Sequence, residues 1–184
     1  MNSGVIASRY AKALLKFVQE SGNGDKVYSQ ACVLGLRMIE VRQLKEFVEN
    51  HDELSVDRKI GLLESALGEK PASELVGFVR MVTSRRRMEY FSRMLYSFIA
   101  QYRVANNIKV GRIIVASPVD GLKERLETIF RERTGADVQL HEKVNPEILG
   151  GFVFEMDGYR LDASVEAYFR RIRRQLIEKN NRIV

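Results

Sequence analysis

The sequence predicts a mainly α-helical protein, with an N-terminal six-helix bundle over residues 1–105 and a small α+β domain over residues 106–184. Three observations carry this. Apolar residues recur at helical spacing from Ile6 to Tyr102. From Val110 the pattern changes to β-branched runs and strict alternation, first Ile113-Ile114-Val115 and later Phe152, Phe154 and Met156. Asp157-Gly158, a pair favoured in two-residue hairpin turns, separates two such runs.

The first helix spans Val5–Glu20, with Ile6, Tyr10, Leu14 and Phe17 on a broad stripe beside Ala7, Ala11, Leu15 and Val18. Ser3 is its expected cap, and Ser21-Gly22-Asn23-Gly24 ends it. Asp25 caps a second helix running to Glu40 with Val27, Ala31, Leu34 and Met38 inward. Leu44–Val48 forms a short third. Ser55 opens a fourth, marked by Ile60, Leu63 and Leu67 and stopped by Gly68. Ser73 caps a fifth, carrying Leu75, Phe78, Val79 and Val82, with Arg85-Arg86-Arg87 expected in its last turn, where cations suit the helix dipole. Phe91, Leu95, Phe98, Ile99 and Tyr102 mark a sixth, which fades at Asn106-Asn107. Short connections between six helices predict a bundle.

In the second domain, Val110–Ala116 reads as a strand ended by Pro118 and Gly121. Leu122, Leu126, Ile129 and Phe130 mark a helix that stops near Gly135. Strands follow at Asp137–Val144, at Phe152–Met156 and from Tyr159 onward. Asp162 is expected to cap a last helix, which buries Val165, Phe169, Ile172 and Leu176 against the sheet. The order is β-α-β-β-β-α.

Composition bounds the function. With 184 residues, 45% hydrophobic and 29% charged, the chain has enough apolar surface to fold. No stretch approaches the ~20 apolar residues of a membrane span. The first residues lack a basic segment followed by an apolar one, and Arg9 and Lys12 interrupt at once, so no secretory signal is expected. The single Cys32 excludes an internal disulfide and fits a reducing compartment. The net charge of +6 is spread along the chain, with 16 basic against 12 acidic residues up to Ala105 and 14 against 12 beyond. A spread excess fits nucleic acid, an anionic membrane surface or an acidic protein alike.

Catalytic chemistry is not legible. There is no P-loop; Gly22-Asn23-Gly24-Asp25-Lys26 has the wrong spacing and reads as a turn. His51 and His141 fall in different domains without a second ligand at metal spacing, so we expect both solvated and no metal or cofactor. Cys32 reads as a buried structural thiol. No strand–Gly-x-Ser-x-Gly context supports a nucleophile, so no catalytic residue is assigned. Three features rise above this background. Arg85-Arg86-Arg87 suits a helix end or an anion. Arg170, Arg171, Arg173 and Arg174 cluster on the last helix, with Glu166 placed to pair with Arg170 and Glu178 beside Arg174. Gly151-Phe152-Val153-Phe154 has part of the aromatic spacing of an RNA-binding strand, without its leading basic residue, and a sheet core is the plainer reading. A small basic RNA-binding module is therefore kept as the alternative function.

Two segments carry a family resemblance. Ile6-Ala7-Ser8-Arg9-Tyr10-Ala11-Lys12-Ala13-Leu14 resembles the opening helix of the delta subunit of F-type ATP synthases, whose mitochondrial member is the oligomycin-sensitivity-conferring protein. More specifically, Asn145-Pro146-Glu147-Ile148-Leu149-Gly150-Gly151-Phe152-Val153-Phe154, then Asp157-Gly158-Tyr159-Arg160-Leu161-Asp162-Ala163-Ser164-Val165, resembles that family's signature before the last helix. Ala163 stands where the family usually has Gly, and Asn145 where Asp is common.

The resemblance implies a non-catalytic stator subunit in proton-driven ATP synthesis. Its helical domain would hold the N-terminal segment of an alpha subunit, and its C-terminal domain would join the b subunits of the peripheral stalk. It also implies a peripheral place at the cytoplasmic face of a bacterial cell membrane, reached only through the complex, and no nucleic-acid partner. For the alpha segment we expect a groove between the first and fifth helices, lined by Ala7, Ala11, Leu14, Leu75, Phe78, Val79 and Val82. For the b subunits we expect Arg170, Arg171 and Arg174, with Ile177 and Ile183 nearby.

Overall fold

The computed structural model describes residues 3–49 and 54–180, with side chains as far as Ile177. Two compact units divide the chain, Met1–Asn106 and Asn107–Val184. The expected residues His51 and Ile183, and the side chain of Glu178, lie outside the described residues.

The first unit is helical among the described residues: α1 (Ser3–Ser21), α2 (Gly24–Glu40), α3 (Arg42–Glu49), α4 (Val56–Leu67), α5 (Ser73–Ser84) and α6 (Phe91–Ala105), with a 3-10 turn at Met88–Tyr90. Local chemistry sets several ends. The Ser55 hydroxyl accepts from the Arg58 amide to open α4, and Gly68 closes it in the left-handed conformation. Other caps differ from expectation. α2 starts at Gly24 after Asn23, α5 follows Ala72, and the three arginines lie past the end of α5 rather than in its last turn.

The stripes meet in one interior. Leu14, Leu34, Leu63, Leu75, Met88, Phe91, Met94, Leu95 and Phe98 are essentially sealed from solvent. Each such side chain contributes roughly 1.5–3 kcal/mol by leaving water. Two polar side chains tie helices together inside. Gln30 donates to Glu69 Oε1 at 2.7 Å and accepts from the Ala72 amide at 2.8 Å, so α2 holds the α4–α5 connection. Lys59 is fully buried, and its Nζ donates at 2.9 Å to the Val48 carbonyl, one of the last-turn acceptors that α3 cannot satisfy internally. Cys32 is half-buried on α2 rather than sealed, because it sits one position around the helix from the buried Ala31, at the edge of the stripe. Phe17, expected inward, is 48% exposed.

The second unit contains β1 (Ile108–Val115), α7 (Leu122–Thr134), β2 (Asp137–Val144), β3 (Gly151–Met156), β4 (Tyr159–Ser164) and α8 (Val165–Asn180), with a 3-10 turn at Pro146–Ile148. The sheet order is β2-β1-β3-β4, with β1 and β2 parallel and the other pairs antiparallel. Asp157 and Gly158 both have positive φ, 50° and 81°, as a tight hairpin turn between twisted strands requires. One sheet face carries Val138, Leu140 and Phe154, packed with Leu126 and Phe130 of α7. The Phe130 and Phe154 rings stack at 4.3 Å. A Cβ on Gly111 would lie 2.8 Å from Leu140 Cδ2 and 3.0 Å from the Glu155 carbonyl, so only glycine fits beneath this core. The opposite face bears a cross-strand charge ladder, with Arg112 and Arg160 both on Glu155. His141 is exposed beside it, in register with Arg112.

The last helix overturns an expectation. Val165, Phe169 and Leu176 do not close the sheet core; they are 37%, 57% and 59% exposed, and Ile172 is only half-buried. α7 packs on the sheet face that carries Val138, Leu140 and Phe154, and α8 packs chiefly on β4 and the turn before β3, which leaves much of its stripe uncovered. Its start is also shifted by two residues from the expected Asp162. The Ser164 hydroxyl accepts from the Ala167 amide, while Asp162 Oδ1 accepts from the Ser164 amide and hydroxyl. These bonds to Ser164, helped by Arg160, draw the Asp162 carboxyl below its ordinary pKa.

Candidate partner-binding surfaces

Helices α1 and α5 run antiparallel, pinned to each other at both ends. At one end Asn23, just past α1, donates through Nδ2 to Glu74 Oε1 at 2.7 Å in the first turn of α5. That bond, with the Glu74 amide and Ser73, holds the buried Glu74 carboxyl down to about 2. At the other end, Arg87 follows α5 and donates to the Tyr10 hydroxyl at 3.2 Å, its guanidinium 5.5 Å from the ring centroid.

The seven residues expected to line a groove here are all core. Ala7, Ala11, Leu14, Leu75, Phe78, Val79 and Val82 are between 0% and 3% exposed. This corrects the expectation: they make up the stripes with which α1 and α5 pack into their own unit, so they offer no surface to a guest. The residues between the two pins that do face outward are their neighbours one step around each helix. On α1 these are the exposed Ala13 and Phe17, with half-buried Tyr10 on the same shoulder at three- and four-residue spacing. On α5 they are Gly77 and Met81, four apart; both are exposed, and a Cβ at Gly77 would meet nothing within 4 Å. The pins place these shoulders side by side. From Tyr10 to Ser21 the furrow is about 16 Å long, the length of roughly three helical turns. The signal for it was the width of the α1 stripe: Phe17 fits the helical period but lies beyond the arc that one packing face consumes.

The second surface is α8. Val165, Tyr168, Phe169, Ile172 and Leu176 recur at three- and four-residue spacing and form one apolar stripe, with Tyr168 60% exposed. The expected arginines lie on the other side of the helix. Arg170 pairs with Glu166 four residues before it, which pulls the Glu166 carboxyl below its usual range. Arg171 and Arg174 are exposed. Ile177 is 54% exposed and lies on the arginine side, away from the stripe. Sequence reasoning named Val165, Phe169, Ile172 and Leu176 of this stripe, but assigned them to the core and missed Tyr168.

Among the described residues, no group of three or more His, Cys, Asp or Glu could hold a metal ion. No described helix is long and apolar enough to cross a membrane. The strand considered for RNA stacking turns Phe154 into the core against Phe130, where no base could reach it.

Each of the two units thus carries exposed apolar residues at helical spacing, and neither carries a recognisable catalytic or metal site among the described residues. The comparisons with known proteins give the chain a family. The family model for the ATP synthase delta (OSCP) subunit matches residues 6–176. The "ATP synthase subunit delta" of Phocaeicola vulgatus is 39% identical over 186 residues, covering all of both chains, and that of Bacteroides fragilis is 35% identical over 187, again at full coverage. A chain in the cryo-EM structure of the Toxoplasma gondii mitochondrial ATP synthase hexamer shares the fold, with a TM-score of 0.61 at 18% identity over 93% of this chain and 97% of that one. The chain belongs to the ATP synthase delta (OSCP) subunit family, and with it to the non-catalytic, structural part of the F-type ATP synthase. Nothing in these matches supports the RNA-binding alternative.

Proposed function

We propose that this protein joins the catalytic head to the peripheral stalk, with one partner on each unit. The six helices act as one bundle whose α1/α5 furrow receives the N-terminal segment of an alpha subunit as an amphipathic helix. The b subunits dock on the second unit along the exposed stripe of α8. The membrane is then reached only through the complex, at the cytoplasmic face of a bacterial cell. The observation that carries this reading is the furrow, where Tyr10, Ala13 and Phe17 stand beside Gly77 and Met81 between two pinned ends. Small Ala13 and Gly77 let a guest backbone approach closely, and Phe17 and Met81 supply apolar area for helix-in-groove recognition.

On this reading the arginines of α8 have a smaller part. Exposed ion pairs are worth about 0.2–1 kcal/mol each, so Arg170, Arg171 and Arg174 steer and set register while the apolar stripe supplies most of the affinity. The deciding experiment is titration of the full chain with a peptide of the alpha N-terminus and, separately, with a soluble peptide from the end of a b subunit that meets the head. Phe17→Asp should abolish the first and spare the second; Phe169→Asp should do the reverse. Unchanged affinity in both folded variants would refute the assignment of the two surfaces.

A further inference from the structure

The furrow between α1 and α5 is apolar along its length but differently charged at its two ends. At the Tyr10 end, Arg85, Arg86 and Arg87 lie just past α5, and Arg9 lies on the outer rim of α1 next to Tyr10. Arg87 is committed to Tyr10. Arg85, Arg86 and Arg9 are exposed, and no ion pair among the described residues engages them. The backbone end of α5 does not need these side chains: the Arg85 amide bonds to the Met81 carbonyl, and the Arg86 amide bonds to the Thr83 carbonyl. At the other end the charges are neutralised or negative. Lys16 is paired with Glu20 at 3.7 Å, and the Glu74 carboxylate sits beneath Asn23.

We propose that this furrow selects an acidic amphipathic helix and fixes its placement, holding the guest's carboxylates over Arg9, Arg85 and Arg86. The inference rests on the furrow being the guest site and adds the chemistry and orientation of the guest. An apolar groove alone would accept an amphipathic helix in either direction, because helix faces look alike from both ends. A cluster of unpaired cations at one end breaks that symmetry. Carboxylates there gain partners, and carboxylates at the other end meet the exposed Glu20. Arginine suits the task, since its planar fork grips a carboxylate through two hydrogen bonds. Arg86 adds a structural hint: it holds φ at +53°, a left-handed conformation that favours glycine, so the position carries a cation against its backbone preference.

The test uses the full chain and three synthetic amphipathic peptides of one length, with identical Leu/Ala faces. One carries two Glu in its last turn, one has both replaced by Gln, and one is the Glu peptide with a nitroxide spin label at its acidic end. The Glu peptide should bind about 3-fold to 10-fold more tightly than the Gln peptide at low salt, with the gap closing at high salt. The spin label should broaden amide signals around Tyr10 and Arg87 and spare those around Asn23 and Ser73. In the triple variant Arg9→Gln, Arg85→Gln, Arg86→Gly the preference should vanish while the Gln peptide binds as before. Glycine at residue 86 relieves the backbone, so the variant keeps its fold. An unchanged Glu/Gln ratio in that variant, or broadening at the Asn23 end, overturns the polarity and leaves the furrow as a site. Loss of neither peptide on Phe17→Asp overturns both the furrow and the polarity.

Discussion

Helices α1 and α8 carry the same kind of apolar stripe and have opposite fates. In α1, Ala7, Ala11, Leu14 and Val18 vanish into the interior because α5 and α6 lie across them. In α8, Phe169 and Leu176 stay more than half exposed because the helix packs mainly through its start on β4 and the turn before β3. Amphipathicity thus records a demand for cover and does not name what supplies it. In the helical unit the cover comes from the same chain. On α8 the chain leaves the demand open.

The largest expected effect sets the two helix types against each other. Phe98→Ala in α6, a fully buried site, should cost about 3–5 kcal/mol in urea unfolding of the first unit. Phe169→Ala on α8 should change stability of the free protein by no more than about 0.5 kcal/mol. Equal losses at the two sites would show that α8 is covered in solution and would dissolve the contrast.

Next comes the pin between α1 and α5. Glu74→Ala leaves Asn23 without its acceptor and should cost about 1.5–3 kcal/mol, the range for a charged hydrogen bond. The same group predicts an acid dependence. Its folded pKa of about 2 lies below the ordinary value near 4.3, so its contribution is complete above that value and is lost as pH falls from there towards 2. Thermal melts of wild type and Glu74→Ala should therefore converge as pH drops through that window. A constant difference between them would place the stabilisation elsewhere.

A smaller effect is expected where α6 meets α2. Tyr102 donates to Asp25 Oδ1 at 2.9 Å and stacks on Tyr28 at 4.8 Å; burial and Asp25 push its pKa up to about 12. Tyr102→Phe should cost about 1 kcal/mol near neutrality. Because the folded pKa lies above the ordinary value near 10, wild type should lose this contribution between pH 10 and 12, and the Phe variant should not. Alkaline melts of the pair would show it.

Smallest is the contribution of the α8 arginines. Arg170, Arg171 and Arg174 changed together to Ala should weaken binding of a b-subunit peptide by about 0.2–1 kcal/mol per pair, and more at low salt than at high. Normal binding at low salt would leave these arginines as a solvated face and the apolar stripe as the whole site.

What the sequence determined by itself was local: where elements begin, turn and end. Ser55 and Gly68 bound α4, Gly135 closes α7 and Asp157-Gly158 turns the last hairpin through interactions that reach only a few residues along the chain. The order of strands and helices followed from the change in apolar period, which is also local. Family membership was legible for the same reason, since the run from Asn145 to Val165 encodes a turn, a hairpin and a helix start in one contiguous stretch. What only the tertiary structure decided was coverage. The residues expected to line a groove at Ala7, Leu14 and Phe78 proved to be interior, and the residues facing out, Ala13, Phe17, Gly77 and Met81, lie one step around the same two helices. A helical period fixes which residues share a face, but burial depends on how wide an arc the neighbouring helices cover, and those neighbours come from distant parts of the chain. The sheet shows the same physics: α7 and α8 both present apolar residues, but α7 packs on a core while α8 leaves Phe169 and Leu176 more than half exposed.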